Sequence, residues 1–371
     1  MTIRKILATL LALSMTLSLA ACGGNSTQTD TAAPSEQTEQ TEKAPTESDE
    51  SAAENTETET PADETEASEP AEKVDINLAA LSGPTALGML DLLEKNENGE
   101  AANNYNVTIA TAPDEVTGKI ISGELDIAAV PTNVASTLYN KTEGQVQIAA
   151  LNTMGVLYVL ETGDTIQSVA DLAGKTIYAT GQGSTPEYAL NLVLEKNGLT
   201  PGEDVEIVFA ADNAEIAPLL ASGEAQVALL PQPFVTSVLT QNENVRVALD
   251  LTEEWDKAVN GESGLTMGCV VVRKEFAEQN KEALDRFLDE YKQSVETVTS
   301  EEGLAHAAEL AEHYNIIKAA VAEKAIPECN IVFVEGDEMQ QIAGGFLQVL
   351  YDANPQAVGG QLPNDDFYYK R

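Results

Sequence analysis

The sequence predicts an α/β protein of two similar Rossmann-like lobes joined by a two-crossing hinge. Three observations carry this. The stretch 74–371 repeats itself at a period near 100 residues. Strand and helix patterns alternate inside each copy. Two related apolar segments lie after the copies, where the chain would pass between lobes.

The repeat is read residue by residue. Ile76-Asn-Leu-Ala-Ala-Leu-Ser-Gly-Pro-Thr leads into a helical pattern ending Leu93-Glu-Lys-Asn96. Ile177-Tyr-Ala-Thr-Gly-Gln-Gly-Ser-Thr-Pro leads into one ending Leu194-Glu-Lys-Asn197, at an offset of 101. Ser122-Gly-Glu-Leu-Asp-Ile-Ala-Ala-Val-Pro131 then matches Ser222-Gly-Glu-Ala-Gln-Val-Ala-Leu-Leu-Pro231 at an offset of 100.

Each copy reads as strand (76–80; 176–180), polar loop, and a helix with Leu87, Leu90, Leu93 or Leu190, Val193, Leu194 on one face. A second strand follows (107–110; 205–209), then a helix from Asp114 or Asn213, then a third strand (126–130; 226–230). Strands separated by helices imply parallel sheets with right-handed crossovers. The segments Leu151-Asn-Thr-Met-Gly and Leu265-Thr-Met-Gly echo each other ahead of apolar runs, and are read as the two connections. Helices are expected at 274–299, 302–314, 318–325 and 337–353, the last capped by Asp337, followed by an extended strap over 361–371.

The chain carries 61 acids and 20 bases, a formal charge of −41 over 371 residues. So anionic a protein repels phosphate backbones, which argues against nucleic-acid partners. Residues 1–22 read as an export signal: Arg4 and Lys5, an apolar run over 6–19, then Leu19-Ala-Ala-Cys22. That run is too short to span a bilayer comfortably. The order resembles a bacterial lipoprotein signal, which implies lipid attachment at Cys22 and no other membrane contact. Residues 23–73 hold no Val, Ile, Leu, Met, Phe, Trp, Tyr or Cys, but 15 acids and two lysines. Such a segment reads as a disordered acidic tether with an end-to-end distance of roughly 40 Å. The expected divisions are therefore 1–22 signal, 23–73 linker, 74–158 first part of lobe one, 159–267 lobe two and 268–371 the return to lobe one.

In open α/β sheets ligands sit at the C-terminal ends of the strands. The loops at those ends supply the candidates. Lobe one offers Ser82, Gly83, Pro84, Thr85, Pro113, Asp114, Pro131, Thr132 and Asn133. Lobe two offers Gly183, Ser184, Thr185, Tyr188, Asn213, Pro231 and Gln232. Gly admits close backbone approach, Ser and Thr add hydroxyls, and Pro in a first helical turn leaves neighbouring N–H groups free. The competing reading is that some only cap helices, above all Ser184, Thr185 and Asn213. Tyr139, Tyr188 and Phe234 could stack on a heteroaromatic ring or belong to the core. No Arg or Lys occurs in these loops, whereas Asp114, Glu115, Glu187 and Asp212 do.

With this lipobox, acidic tether, duplication, Asp171-Leu-Ala-Gly-Lys175 before a strand, and Ser-Gly-Glu-x-x-[Ile/Val]-Ala ahead of Pro, the chain resembles the ABC-transporter substrate-binding proteins for nitrate, sulfonate, taurine and thiamine-pyrimidine precursors. The resemblance covers about 74–371 and implies a periplasmic-binding-protein fold. It also implies a solute captured outside the cell by a monomer, without covalent chemistry, and delivered to a permease with its ATPase. The loop composition disfavours a bare phosphate and leaves sulfonate-like or pyrimidine-like solutes. An enzyme or sensor on the same fold is the alternative.

Other constellations carry less. Gly181-Gln-Gly183 lacks the third glycine of a dinucleotide fingerprint, so no cofactor is expected. His306 and His313 lie on one helical face with Glu309, an incomplete metal set. Cys269 and Cys329 could pair or remain thiols.

Overall fold

The computed structural model describes residues 72–111 and 113–371. The expected signal, Cys22 and the expected linker up to residue 71 lie outside the described residues. The last two linker residues lie against the fold, with Lys73 Nζ donating to the Gly99 carbonyl (2.8 Å) and Arg286 to the Glu72 carbonyl.

Among the described residues eleven strands form two sheets: β1 Asp75–Leu81, β2 Asn104–Ala110, β3 Ile127–Pro131, β4 Val146–Met154, β5 Leu157–Thr162, β6 Thr176–Ala179, β7 Glu206–Phe209, β8 Val227–Pro231, β9 Val245–Asp250, β10 Thr266–Arg273 and β11 Ile331–Val334. The first sheet runs β11-β4-β10-β3-β1-β2 and the second β7-β6-β8-β5-β9. The duplication is visible in this order. The parallel triplet β2-β1-β3 is repeated as β7-β6-β8.

Beside each triplet lies one antiparallel strand that has just crossed. β10 enters the first sheet between β3 and β4, and β5 enters the second between β8 and β9. The two Thr-Met-Gly echoes meet here. Thr266 pairs with Met154 and Gly268 with Thr153, antiparallel, at the point where the chain changes lobe.

Two glycines are demanded by this crossing. A Cβ on Gly268 would lie 2.5 Å from Asn152 Oδ1 and 3.1 Å from Thr85 Cγ2. One on Gly155 would collide with Thr252.

The core has three parts. One face of the first sheet buries Leu78, Leu90 and Val270 under Phe287, Leu288 and Tyr291 of the long helix Lys281–Thr299. The second cluster is common to both lobes. It runs from Val130, Ile148 and Val271 through Leu157 and Ile177 to Leu190 and Trp255. Trp255 is fully buried against Phe346 of helix Gly336–Ala353 (ring centroids 5.6 Å) and donates its indole N–H to the Ser263 carbonyl. The third cluster, around Ile216, Leu220 and Val238, covers the other face of the second sheet.

Several local expectations are corrected. The first helix is broken into Pro84–Leu87 and Leu90–Glu97, with Gly88 between them packed where a Cβ would meet Ile331 at 3.0 Å and the Tyr291 hydroxyl at 3.2 Å. The stretch 274–299 is interrupted at Asn280. Glu335, not Asp337, holds the N-cap position of the last long helix. Strands β9 and β11 and helix Leu251–Ala258 add to the elements expected.

Within 361–371 there is a 3-10 turn, Asp365–Phe367, and the rest lies along β4, with the Tyr369 N–H donating to the Ile148 carbonyl. The Arg371 guanidinium forks onto Glu335 and Asp289, which holds its pKa above the ordinary range. Cys269 and Cys329 are buried free thiols, pushed up by burial. His306 contacts Glu94 (2.8 Å) and His313 contacts Glu97 (3.2 Å), carboxylates of helix Leu90–Glu97. Among the described residues no group of His, Cys, Asp and Glu is placed to hold a metal, and no helix is long and apolar enough to cross a membrane.

The Gly268→Ala variant should lose about 1–3 kcal/mol, the usual cost of forcing a methyl into a filled space. Chemical denaturation of the full chain measures it, and an unchanged midpoint would contradict the packing described at the crossing.

Candidate functional site

β4 leaves the first sheet at Met154, and β5 enters the second at Leu157. Within the first sheet β1, β2, β3 and β4 point the same way; within the second β6, β7, β8 and β9 do. The C-terminal strand ends of both sheets therefore face the crossing, and their loops form opposed walls.

On the lobe-one wall, Ser82 is exposed and its N–H donates to the Ala110 carbonyl. Gly83 adopts φ 129°, ψ −151°, a conformation open only to glycine, so it sets the turn into Pro84. Thr85 is buried and its hydroxyl returns to the Leu81 carbonyl (2.6 Å). Pro113 and Asp114 open helix Pro113–Ser122 on the rim. Pro131 pairs with Gly268, and the Thr132 hydroxyl contacts the Thr266 hydroxyl (3.1 Å). Asn133 is buried in the first turn of helix Thr132–Lys141, and its amide donates to the Ala357 carbonyl (3.1 Å).

On the lobe-two wall, Gly183 N–H donates to Glu187, which lies in the first turn of helix Thr185–Lys196. Ser184 holds that helix's N-cap position, but its hydroxyl donates to the Gly181 carbonyl (2.7 Å) instead of accepting from the helix. Thr185 is fully buried, and its hydroxyl donates to Asn133 Oδ1 at 3.1 Å. This bond joins the first turns of two helices from opposite lobes. The N-cap of the next helix is Asp212, which accepts from the Glu215 N–H (3.1 Å), so Asn213 is not the cap; it accepts from the Thr180 hydroxyl. Gln232 folds back to accept from the Thr236 N–H and hydroxyl, and Pro231 pairs with Leu157.

Of the aromatic candidates, Tyr139 is core. Its hydroxyl donates to Asp366 (2.6 Å) and its ring meets Phe367 edge-on, two turns into its helix. Tyr188 is half-buried against the shared cluster, its phenol pushed up by burial and then by Glu187. Phe234 packs on the third cluster.

Three polar residues on the crossing strands were not among the sequence candidates: Asn152, Thr153 and Thr266, all buried. The signal was present in the Thr-Met-Gly echo, where polar side chains interrupt apolar strands. Asn152 accepts from the Thr153 hydroxyl, while its Nδ2 and the Tyr291 hydroxyl approach one another without reaching hydrogen-bond geometry. Tyr158, the second residue of β5, has its phenol pushed up to about 12 by burial, then by Asp250 and Glu328.

A double-mutant cycle on Asn133→Ala and Thr185→Val should return a coupling of about 0.5–1.5 kcal/mol, the worth of a buried neutral hydrogen bond. Additive effects in chemical denaturation would contradict a direct bond between the lobes.

Comparison with known proteins agrees with the architecture. A crystal structure of an ABC transporter protein from Parabacteroides distasonis is 25% identical with TM-score 0.66, over 80% of this chain and 99% of that one. The periplasmic aliphatic sulphonate-binding protein SsuA of Escherichia coli is 15% identical with TM-score 0.63, over 80% and 92%. The alkanesulfonate-binding protein SsuA of Xanthomonas axonopodis, solved with MOPS, is 17% identical with TM-score 0.60, over 79% and 96%. No curated protein matches the chain. The family model described as "ABC transporter, phosphonate, periplasmic substrate-binding protein" matches residues 91–323. With that match covering more than half of its length, the chain belongs to the phosphonate periplasmic substrate-binding family of ABC transporters.

Proposed function

We propose that this chain is the solute-binding component of an ABC importer, capturing a small organic solute between its lobes and delivering it to a permease and its ATPase. The carrying observation is the pair of opposed loop walls at the strand ends, close enough for Thr185 to bond Asn133. Rocking about the crossing strands would open that gap to solvent. Closing it would bury the solute and strengthen its polar contacts in the low dielectric. The work is differential binding. The solute is sulfonate- or taurine-like, or pyrimidine-like. The sulfonate reading draws support from the names of the structural relatives, and the pyrimidine reading from the loop composition. Cys22 is the proposed lipid anchor, holding a monomer at the outer face of the cell membrane.

Two measurements test this reading. Native mass spectrometry of the full chain taken from its producing cells should show one unmodified small molecule bound non-covalently, and conversion of that molecule by the protein alone would overturn the assignment. Cys22→Ala should move the protein from the membrane fraction to the soluble fraction; continued retention would refute the lipid anchor.

A further inference from the structure

The two strand crossings are not all that ties the lobes together. Helix Gly336–Ala353 packs on both. Toward lobe two, its Phe346 lies against Trp255, and a Cβ added to Gly345 would stand 3.6 Å from Ser263 Cβ, just ahead of β10. Toward lobe one, a Cβ added to Gly344 would stand 3.3 Å from the hydroxyl of Tyr368, which bridges to Ile148 of β4.

This helix ends in a turn that lobe one grips. Asn354 caps the turn Pro355–Val358, its side chain accepting from the Gln356 N–H (3.0 Å). Three side chains of helix Thr132–Lys141, spaced i, i+3 and i+7 and so on one face, donate to carbonyls of the turn and of the strap behind it. Asn133 reaches Ala357 (3.1 Å), Ser136 reaches Val358 (2.8 Å), and Asn140 reaches Val358 (2.9 Å) and Gln361 (2.7 Å).

Asn133 stands where the strap and the cleft meet. A carbonyl only accepts, so the Ala357 contact turns the Asn133 Nδ2 toward the strap and leaves Oδ1 facing the Thr185 hydroxyl of lobe two. A flipped amide would set Oδ1 against the Ala357 carbonyl, two acceptors face to face in a buried site.

Resting on the proposed role as a receptor whose lobes rock, we infer that the C-terminal strap regulates closure: by holding the Asn133 amide in one orientation, it presets the acceptor that Thr185 meets as the lobes come together. Asn133 is a positioning residue, and the strap is the element that sets it. A preset acceptor needs no side-chain ordering at the moment of closure, which shifts the balance toward the closed arrangement.

The closed-to-open ratio can be read by pulsed electron double resonance between spin labels at Glu124→Cys and Glu224→Cys, exposed counterparts in the two lobes. The full chain carries Cys22→Ala, so that only these thiols react, Cys269 and Cys329 being buried. Thr185→Val should lower the ratio about three- to tenfold, the range that one buried neutral hydrogen bond supports. Ser136→Ala/Asn140→Ala loosens the strap without altering Asn133 or Thr185, and should lower the ratio at least about twofold. If that pair fails to fold, Asn140→Ala alone, at a half-buried position, carries the same test. Added to Thr185→Val, the strap variant should open the protein no further. A strap variant that lowers the denaturation midpoint but leaves the ratio unchanged overturns the inference. So does further opening of the Thr185→Val protein, or a wild type with no closed population. The receptor reading is judged separately, by whether the native mass spectrum shows a carried solute.

Discussion

The pairing of β10 between β3 and β4 is the constraint on which the rest of the molecule depends. The first sheet is completed only by a strand that has already passed through the second lobe. Val270, Val271 and Val272 on that strand are fully buried, and each contributes on the order of 1.5–3 kcal/mol on burial. The second sheet is completed in the same way by β5. Neither core closes alone, and the cluster shared through Trp255 and Phe346 ties the two together. Pairing Val146 with Arg273 closes a loop that contains the entire second lobe. Such non-local closure is slow, because its chain entropy is spent before the contacts form.

The same exchange builds the cleft. Because the strands that cross do so at one level, all the parallel strands of both lobes end facing that level. The loops there are held by short-range bonds: Thr85 to Leu81, Ser184 to Gly181, Thr180 to Asn213, Gln232 to Thr236. A wall whose polar groups are already satisfied keeps its shape when the lobes part, since an orphaned buried group would cost about 1–3 kcal/mol. Between the walls, the Asn133–Thr185 bond is the contact that the proposed opening would break. It can be exchanged for water at small net cost.

How much of this the sequence carried depends on the range of the interaction. The duplication was legible because the same local physics operates twice: a strand, a Gly/Ser/Thr/Pro turn and an apolar helix face at an offset near 100. The two crossings were legible as the Thr-Met-Gly echo. What the echo meant was not. That Thr153 would lie beside Gly268, and that Asn152 would need that glycine, are tertiary facts between residues more than 100 apart. The need for glycine at position 88 escaped for the same reason, since the atoms a Cβ would meet there belong to Tyr291 and Ile331 in distant segments. Among the candidate site residues, local pattern separated polar loops from core but could not tell a cap from its neighbour, as Asp212 and Asn213 show. Tyr139 was ambiguous because its partner Asp366 comes from the far C-terminus.

The duplication also separates what the fold needs from what the site adds. At the offset of 101 that aligns β1 with β6, the counterpart of Glu187 is Ala86. Ala86 is fully buried, whereas Glu187 stands half-exposed. The same turn from strand to helix is thus built with a methyl in one lobe and a carboxylate in the other, so the architecture does not require the charge. At the third strand end the two copies share Pro131 and Pro231, then diverge from Thr-Asn to Gln-Pro. The backbone diverges with them: the lobe-one helix starts directly after Pro131, at Thr132, and the lobe-two helix two residues later, at Phe234. A net charge of −41 could be dismissed as a solubility feature spread over a surface. Acid stands at helix ends on both walls, Asp114 on one and Asp212 and Asp250 on the other, so part of that charge is set by the strand-to-helix turns of the fold itself.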